Sequence, residues 1–273
     1  MYSEKVLSIN QEERYLFDLN GYLVIEDVLT EEEVALANQA IDQNQDKVRI
    51  RPPDQKLDGG SAHLAGDLGR GEMSLLNLDS PWCNPFQQML AHPKIVPYLN
   101  EILGKGFRMD HQTFLLSMDK GAEGFIFHGS SGPGFDPNQY YIFRDGRMHN
   151  GLTVVGFQLT DVNPGDGGLI VIPGSHKSNI ACPDSIRRYE KHQDQIRQVT
   201  SKAGSVVIFT EAVTHGTLPW TADHPRRSIL TRYTAGNMAY VPAYPIPEWA
   251  DERQRRVMEP PYHSRLNRPF LDK

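Results

Sequence analysis

The spacing of hydrophobic residues in the first part of the chain is helical. Residues 12–20 and 85–103 each have an amphipathic pattern that ends near a glycine. Between these segments, Thr30 and Glu33 have the spacing of a capping box, which predicts the start of another helix. A run of β-branched and aromatic residues at 22–25 predicts one strand. This part of the chain is therefore predicted to be a helix, strand and helix lead-in.

The pattern then changes to short β-type runs separated by glycine and proline clusters. These runs occupy residues 113–117, 124–127, 152–159, 168–172, 205–209 and 228–233. Six such runs with turn residues between them predict a sandwich or barrel. We expect a mainly β fold with flanking helices, a double-stranded β-helix of the jelly-roll, cupin-like type.

The same pattern predicts how the chain is organised. A chain of 273 residues with 39% hydrophobic content can form one globular domain. We expect residues 1–109 to be the lead-in, residues 110–240 the jelly-roll core and residues 241–273 a tail. Within the lead-in, residues 51–71 are rich in proline, glycine and charge without periodicity, and we expect them to form a loop that folds over a site.

Charge and cysteine content narrow the class of protein. A net charge of −6 and a pI near 5.9 disfavour binding to nucleic acid or to a membrane surface, so a small-molecule partner is expected. Cys83 and Cys182 lack the spacing of a zinc ribbon or a disulfide framework. There is no signal-peptide pattern at the N-terminus and no long apolar run, so we expect a cytoplasmic location.

Two histidines and an arginine lie at predicted strand ends. His128 follows the run at 124–127, and His215 follows the run at 205–209, with Arg226 and Arg227 shortly after it. Each histidine on its own fits an ordinary place in a β core. As a set, they also fit a metal site in which two imidazoles bind Fe(II) and an inward arginine binds a carboxylate through two parallel hydrogen bonds. Spacing alone leaves both interpretations open.

Several phrases resemble one family. They are residues 17–25, residues 159–168, the Pro-Gly-Ser-His-Lys phrase at 173–177 and His-Gly-Thr at 215–217. Together they resemble the phytanoyl-CoA dioxygenase family of Fe(II)/2-oxoglutarate oxygenases over residues 16–233. The resemblance implies an enzyme that uses Fe(II), 2-oxoglutarate and O2.

The resemblance also implies roles for individual residues. His128 and His215 become the metal ligands, and Arg226 becomes the anchor for 2-oxoglutarate, with Arg227 as the alternative. Thr217 would be a second contact to the carboxylate of the keto-acid. The prominent His176 is expected to be structural, because in the family it lies in a turn away from the metal.

The sequence departs from the family two positions after His128. Most members have a metal-binding carboxylate there, and this chain has Ser130. Three hypotheses follow. Gly129 and Ser130 could form a halide pocket in which chloride or bromide binds the iron, as in the carboxylate-less halogenases of the wider superfamily. A carboxylate from elsewhere could complete the site, and the candidates are Asp136, Glu211 and Asp161. The domain could also bind a ligand without turnover. We favour the halogenase.

Substrate recognition is expected in the polar and aromatic stretch at 135–150. Tyr140, Arg144 and His149 are the candidate contacts there, although a solvated loop has the same composition. A nucleotide, an amino acid or a small acid would fit. A non-catalytic cupin-like binding protein is the alternative of another class, and Arg226 with the phrase at 173–177 favours the oxygenase.

Overall fold

The computed structural model describes residues 9–52, 54–129, 136–263 and 271. Its helices are α1 (Gln11–Asn20), α2 (Glu31–Asp42), α3 (Asn84–Met89), α4 (Val96–Leu103), α5 (Asp184–Arg187) and α6 (Glu252–Met258), with single 3-10 turns at Gln45–Lys47, Ser175–Lys177 and Gln193–Gln195. Its first seven strands are β1 (Tyr22–Ile25), β2 (Arg49–Ile50), β3 (Gly71–Ser74), β4 (Arg108–Met118), β5 (Phe125–His128), β6 (Tyr141–Arg144) and β7 (Arg147–Asn150). The others are β8 (Thr153–Gln158), β9 (Gly168–Val171), β10 (Arg197–Gln198), β11 (Val206–Thr210), β12 (His215–Leu218) and β13 (Arg226–Thr234).

Local sequence signals explain where the lead-in helices begin and end. The predicted capping box is confirmed: the Thr30 hydroxyl accepts the Glu33 N–H, and the Glu33 carboxylate accepts the Thr30 N–H. The single helix predicted over 85–103 is wrong, because α3 and α4 are separate. Pro93 lies between the two helices and cannot donate a backbone hydrogen bond, and each helix has a proline in its first turn.

Two antiparallel sheets form the predicted jelly roll. The larger has the strand order β1-β11-β8-β13-β4-β3-β2, and the smaller has the order β10-β9-β12-β5. β6 and β7 form a separate hairpin. The lead-in helices pack on the outer face of the large sheet, where the largest apolar cluster includes Phe17, Phe86 and Tyr233. Its other face, with Val154, Val207 and Leu116, is turned toward the small sheet, and the candidate site lies between the two sheets.

The loop at 51–71 packs against the strand that carries the first histidine. The Ile126 N–H donates to the Leu57 carbonyl at 2.9 Å, and the Gly124 N–H donates to the Leu64 carbonyl at 2.8 Å. A side chain at Gly66 would collide with the backbone of Glu123, so close packing requires glycine there. In the described part of the chain, no helix has the length and apolar character needed to cross a membrane.

Candidate metal and cosubstrate site

The two predicted histidines lie side by side between the sheets. His128 ends β5 and His215 begins β12, and the two residues are directly paired across these antiparallel strands. Their ring centroids are 4.0 Å apart. Gly129 makes this approach possible: its φ is 125°, and a Cβ there would lie 2.6 Å from the Val213 carbonyl oxygen. Close packing therefore requires glycine at position 129 whatever else it does, and the halide pocket at Gly129 and Ser130 stays a prediction. Ser130 lies outside the described residues.

Both imidazoles are held in the form that binds metal. The His215 Nδ1–H donates to the Val213 carbonyl at 2.8 Å, and the His128 Nδ1–H donates to the Ile126 carbonyl at 3.3 Å. Each Nε2 therefore has a free lone pair. Burial lowers the pKa of His215, and burial together with repulsion from His215 lowers the pKa of His128 to about 3. Two neutral imidazoles result, as Fe(II) ligation requires.

A buried carboxylate completes the cluster. Glu211 lies in the turn between β11 and β12, and its N–H donates to the Leu152 carbonyl at 2.8 Å. Ligand atoms of His128, Glu211 and His215 lie within 4.8 Å of one another, and Oε2 of Glu211 is 3.6 Å from Nε2 of His215. Glu211 is 4% exposed, so its carboxylate is not a solvated surface group.

Arg232 holds this carboxylate in its ionised form. Its Nε donates to Oε1 of Glu211 at 2.6 Å. Burial opposes ionisation of Glu211, but attraction to Arg232 outweighs burial and lowers the pKa of Glu211 to about 2. One carboxylate oxygen is therefore bound to Arg232, while the other is turned toward the histidines.

The other two carboxylates that we considered as third ligands do not join this cluster. Asp161 pairs with Lys202 at 2.8 Å and accepts the Ala203 N–H at 2.8 Å. Asp136 accepts the N–H of Asn138 at 2.8 Å. Among the described residues, Glu211 alone of the three candidates is grouped with both histidines.

Behind the histidines is a small cavity with buried cationic groups. Its volume is about 80 Å³, and it is lined by His128, His215, Thr217, Arg226, Arg70 and Arg232. Among the residues that the structure describes, the Nε of Arg226 is buried without a hydrogen-bond partner, and its Nη1 lies 3.4 Å from the Met118 sulfur. Burial, followed by repulsion from Arg70, lowers the pKa of Arg226 to about 10. A buried arginine in this condition fits an anion such as a keto-acid carboxylate.

The alternation of β13 distinguishes the two predicted arginines. Arg226 points between the sheets, whereas the guanidinium of Arg227 donates to Asn38 at 2.9 Å and to Asp42 at 2.6 Å on α2. The structure therefore leaves Arg227 on the opposite face of the sheet. Thr217 is two residues beyond His215 on β12 and lines the same cavity as Arg226.

Sequence reasoning missed two charged residues of the cavity, Arg70 and Arg232. The guanidinium carbon of Arg70 is 4.9 Å from the centre of the Phe125 ring, and its side chain is 12% exposed. The only signal for Arg70 was that its loop was expected to fold over a site. Arg232 could have been found, because it has the same parity as Arg226 on one strand.

The three predicted substrate residues lie elsewhere. Tyr140 and His149 line a cleft of about 970 Å³ that shares no lining residue with the cavity at the histidines. Arg144 is at the tip of the hairpin, with a side chain that is 79% exposed. His176 is buried, and its Nε2–H donates to the Asp18 carbonyl at 3.0 Å, which fits the structural role expected for it.

The donors in this site fit the cofactors that the resemblance implies. Two neutral imidazoles and one carboxylate are the set that Fe(II) oxygenases use, and this set leaves half of an octahedron open. The unpartnered Nε of Arg226 fits a carboxylate of 2-oxoglutarate.

The model of the phytanoyl-CoA dioxygenase (PhyH) family matches residues 17–228. An ectoine dioxygenase of Bordetella parapertussis is 25% identical and aligns over 91% of this chain and 83% of its own length. The structure of HygX from Streptomyces hygroscopicus with nickel and 2-oxoglutarate superposes with a TM-score of 0.64 at 19% identity, over 85% of this chain and 89% of HygX. The structure of apo EctD from S. alaskensis superposes with a TM-score of 0.63 at 18% identity, over 94% of this chain and 89% of EctD. The chain therefore belongs to the phytanoyl-CoA dioxygenase family, and it is an enzyme of the Fe(II)/2-oxoglutarate-dependent oxygenase class.

Proposed function

We propose that this enzyme hydroxylates an aliphatic C–H bond of a small polar molecule, with Fe(II) held by His128, His215 and Glu211. The observation that carries the proposal is the buried carboxylate of Glu211 beside both histidines. It supplies the acid that is missing two positions after His128. When bound, Fe(II) would activate O2, which is the oxidant of the reaction. 2-Oxoglutarate would supply two electrons and leave as succinate and CO2, so that one oxygen atom enters succinate and the other enters the hydroxyl group of the product.

The ion pair with Arg232 favours coordination of the metal through one oxygen of Glu211. Because Oε1 accepts the hydrogen bond from Arg232, Oε2 is the oxygen available to a metal beside His215. Three protein atoms would then hold the ion, and three positions would stay open for a chelating keto-acid and O2. Coordination through both oxygens would close one of those positions.

Arg226, Thr217 and Arg70 suit a cosubstrate with two negative charges. Arg226 and Arg70 repel each other in the small cavity, and burial lowers the pKa of both guanidinium groups. A dianion such as 2-oxoglutarate would relieve that repulsion. We assign the distal carboxylate of 2-oxoglutarate to Arg226 and Thr217.

The relatives support a small-molecule substrate. The relatives found by sequence include ectoine dioxygenases, and one structure of HygX contains hygromycin B together with 2-oxoglutarate. Ectoine and hygromycin B are both small molecules. Because these sequence identities are 25% or less, the substrate of this enzyme has to be inferred from its own residues.

Halogenation is the second candidate, because Ser130 replaces the usual carboxylate and chloride or bromide could bind the metal beside Gly129. The charge of Glu211 disfavours it. A halide on the metal would place a second anion next to a carboxylate whose pKa is lowered to about 2 and which is therefore ionised at neutral pH. Hydroxylation requires no such crowding of negative charge.

Glu211→Ala should lower the affinity for Fe(II) or Mn(II) by at least about tenfold and stop succinate release, because two imidazoles hold the ion poorly against water. Metal affinity is measured by calorimetry with Mn(II), and turnover by succinate formation under air. Asp161→Ala and Asp136→Ala are the matched controls and should keep both properties.

Arg232→Ala separates ligation by Glu211 from loss of the ion pair. It breaks the same pair but leaves the carboxylate, so it should weaken Mn(II) binding less than Glu211→Ala does. Native Mn(II) affinity in Glu211→Ala would exclude Glu211 as a ligand.

A further inference from the structure

A second cavity adjoins the cavity at the histidines. β2, β3 and β4 form one end of the large sheet, and a cleft of about 920 Å³ lies along them. Its lining includes Lys47, Arg49, Glu72, Ser74, Gln112 and Phe114, and we call it the outer cleft. The side chain of Phe114 lines both cavities. The outer cleft therefore meets the candidate metal site at this ring.

Strand register shows that the two cavities share one face of the sheet. Ser74 pairs with Phe114, and Glu72 pairs with Leu116, across β3 and β4. Residues paired across neighbouring strands point to the same face. Leu116 lines the cavity at the histidines, while Glu72 and Ser74 line the outer cleft. One face of β3 and β4 therefore contributes residues to both cavities.

The volumes indicate which cavity can hold a substrate. The inner cavity, at about 80 Å³, already has to accommodate a keto-acid, whereas the outer cleft has about 920 Å³. Small-molecule sites commonly have volumes of several hundred Å³. A substrate larger than a few atoms therefore needs a larger cavity than the inner one, and the outer cleft is large enough and borders the inner cavity at Phe114.

The outer cleft has an excess of positive charge. Glu72 is already shared by Arg51 at 3.5 Å and Arg70 at 3.3 Å. Arg49 pairs with Glu72 across β2 and β3, so it lies on the same face, and it has no carboxylate partner among the residues that the structure describes. In the described part of the chain, Lys47 forms one ion pair, with the exposed Asp79 at 3.4 Å, and solvent screens this pair.

Building on the proposed function, we propose that the outer cleft binds the substrate. The substrate is an organic molecule with an anionic group, a carboxylate or a phosphate, that pairs with Arg49 and Lys47. Its aliphatic part passes Phe114 toward the histidines. Arg49 and Lys47 select the substrate by charge, and Phe114 excludes bulky groups from the inner cavity.

The cleft beside Tyr140 and His149 is the competing location. It is also large and carries Arg14, Arg147 and Lys105, but it shares no lining residue with the inner cavity. A bound molecule there has no shared wall with the candidate metal site. Continuity with the reacting centre favours the outer cleft.

The test uses probes of one chain length that differ in charge: hexanoate, hexyl phosphate, hexanamide and hexylamine. Binding is measured by calorimetry to the enzyme loaded with Mn(II) and saturating 2-oxoglutarate, so that the carboxylate site at Arg226 is already filled. We expect the two anions to bind more tightly than the amide and the amine. Arg49→Ala and Lys47→Ala should each lower the affinity for the two anions by about fivefold or more. Arg144→Ala, which removes an exposed arginine outside the outer cleft, is the matched control.

Three results would overturn the proposal: no preference for the anions, native anion affinity in Arg49→Ala, or a loss confined to Arg147→Ala in the competing cleft. A failure of this inference differs from a failure of the proposed function. In the first case, Mn(II) and 2-oxoglutarate still bind, but the affinity for the anionic probes does not depend on Arg49. In the second case, the enzyme does not bind Mn(II) and 2-oxoglutarate.

Discussion

His215→Ala should lose the metal and reduce succinate formation to background. His215 is buried at the start of β12, and its Nδ1–H is committed to the Val213 carbonyl. Among the described residues, no other histidine is grouped with His128 and Glu211. Removal leaves one imidazole and one carboxylate, too few protein ligands to hold Fe(II) against water. Iron content after dialysis and succinate release under air measure the two effects.

His63→Ala is the control for this variant, because His63 is an exposed histidine on the loop that packs over β5. It should keep native iron content and turnover. His128→Ala should match His215→Ala. Near-native iron content in either His128→Ala or His215→Ala would remove the histidine pair from the metal site.

Arg226→Ala should raise the apparent constant for 2-oxoglutarate strongly. Losing one partner of a buried, bidentate ion pair costs about 2 to 5 kcal/mol, or roughly 30-fold to several thousand-fold in affinity. Arg226→Lys should also be impaired, because an ammonium group cannot form two parallel hydrogen bonds to a carboxylate. Titration of succinate formation with 2-oxoglutarate, together with direct binding to the Mn(II) enzyme, measures the change.

Arg227→Ala is the neighbouring control. Its guanidinium binds Asn38 and Asp42 on the outer face of the sheet, so its loss should affect stability slightly and leave the 2-oxoglutarate constant unchanged. If Arg227→Ala raised the 2-oxoglutarate constant strongly and Arg226→Ala left it unchanged, the anchor would be Arg227, contrary to the assignment from strand alternation.

Local patterns in the sequence predicted the parts of the site that depend on a strand and its neighbours. The histidines could be placed at strand ends, and Arg226 two residues before the run at 228–233, because period-2 alternation is a local property. The capping box at Thr30 was predictable for the same reason. The jelly roll followed from runs of β-type residues with turns between them.

Other features depend on contacts between distant segments. Glu211 could be named only as one of three candidates, since its approach to His128 depends on how the turn after β11 meets the end of β5. Arg70 enters the cavity from the lead-in, far away in sequence. The outer cleft exists because β2 and β3 extend the large sheet beyond the barrel, and two-residue β2 has no sequence signature. The expected substrate loop at 135–150 has a suggestive composition, but composition does not specify which cavity a hairpin borders.

The ligand set of the metal tests the central claim most directly. It is measured by a crystal structure of the enzyme with Mn(II), 2-oxoglutarate and chloride. We expect Nε2 of His128, Nε2 of His215 and Oε2 of Glu211 on the metal, with Oε1 of Glu211 still bonded to Arg232 and with 2-oxoglutarate completing the site toward Arg226. A chloride ion on the metal beside Gly129 and Ser130, with the Glu211 carboxylate bound to Arg232 alone, would contradict the account and indicate a halogenase.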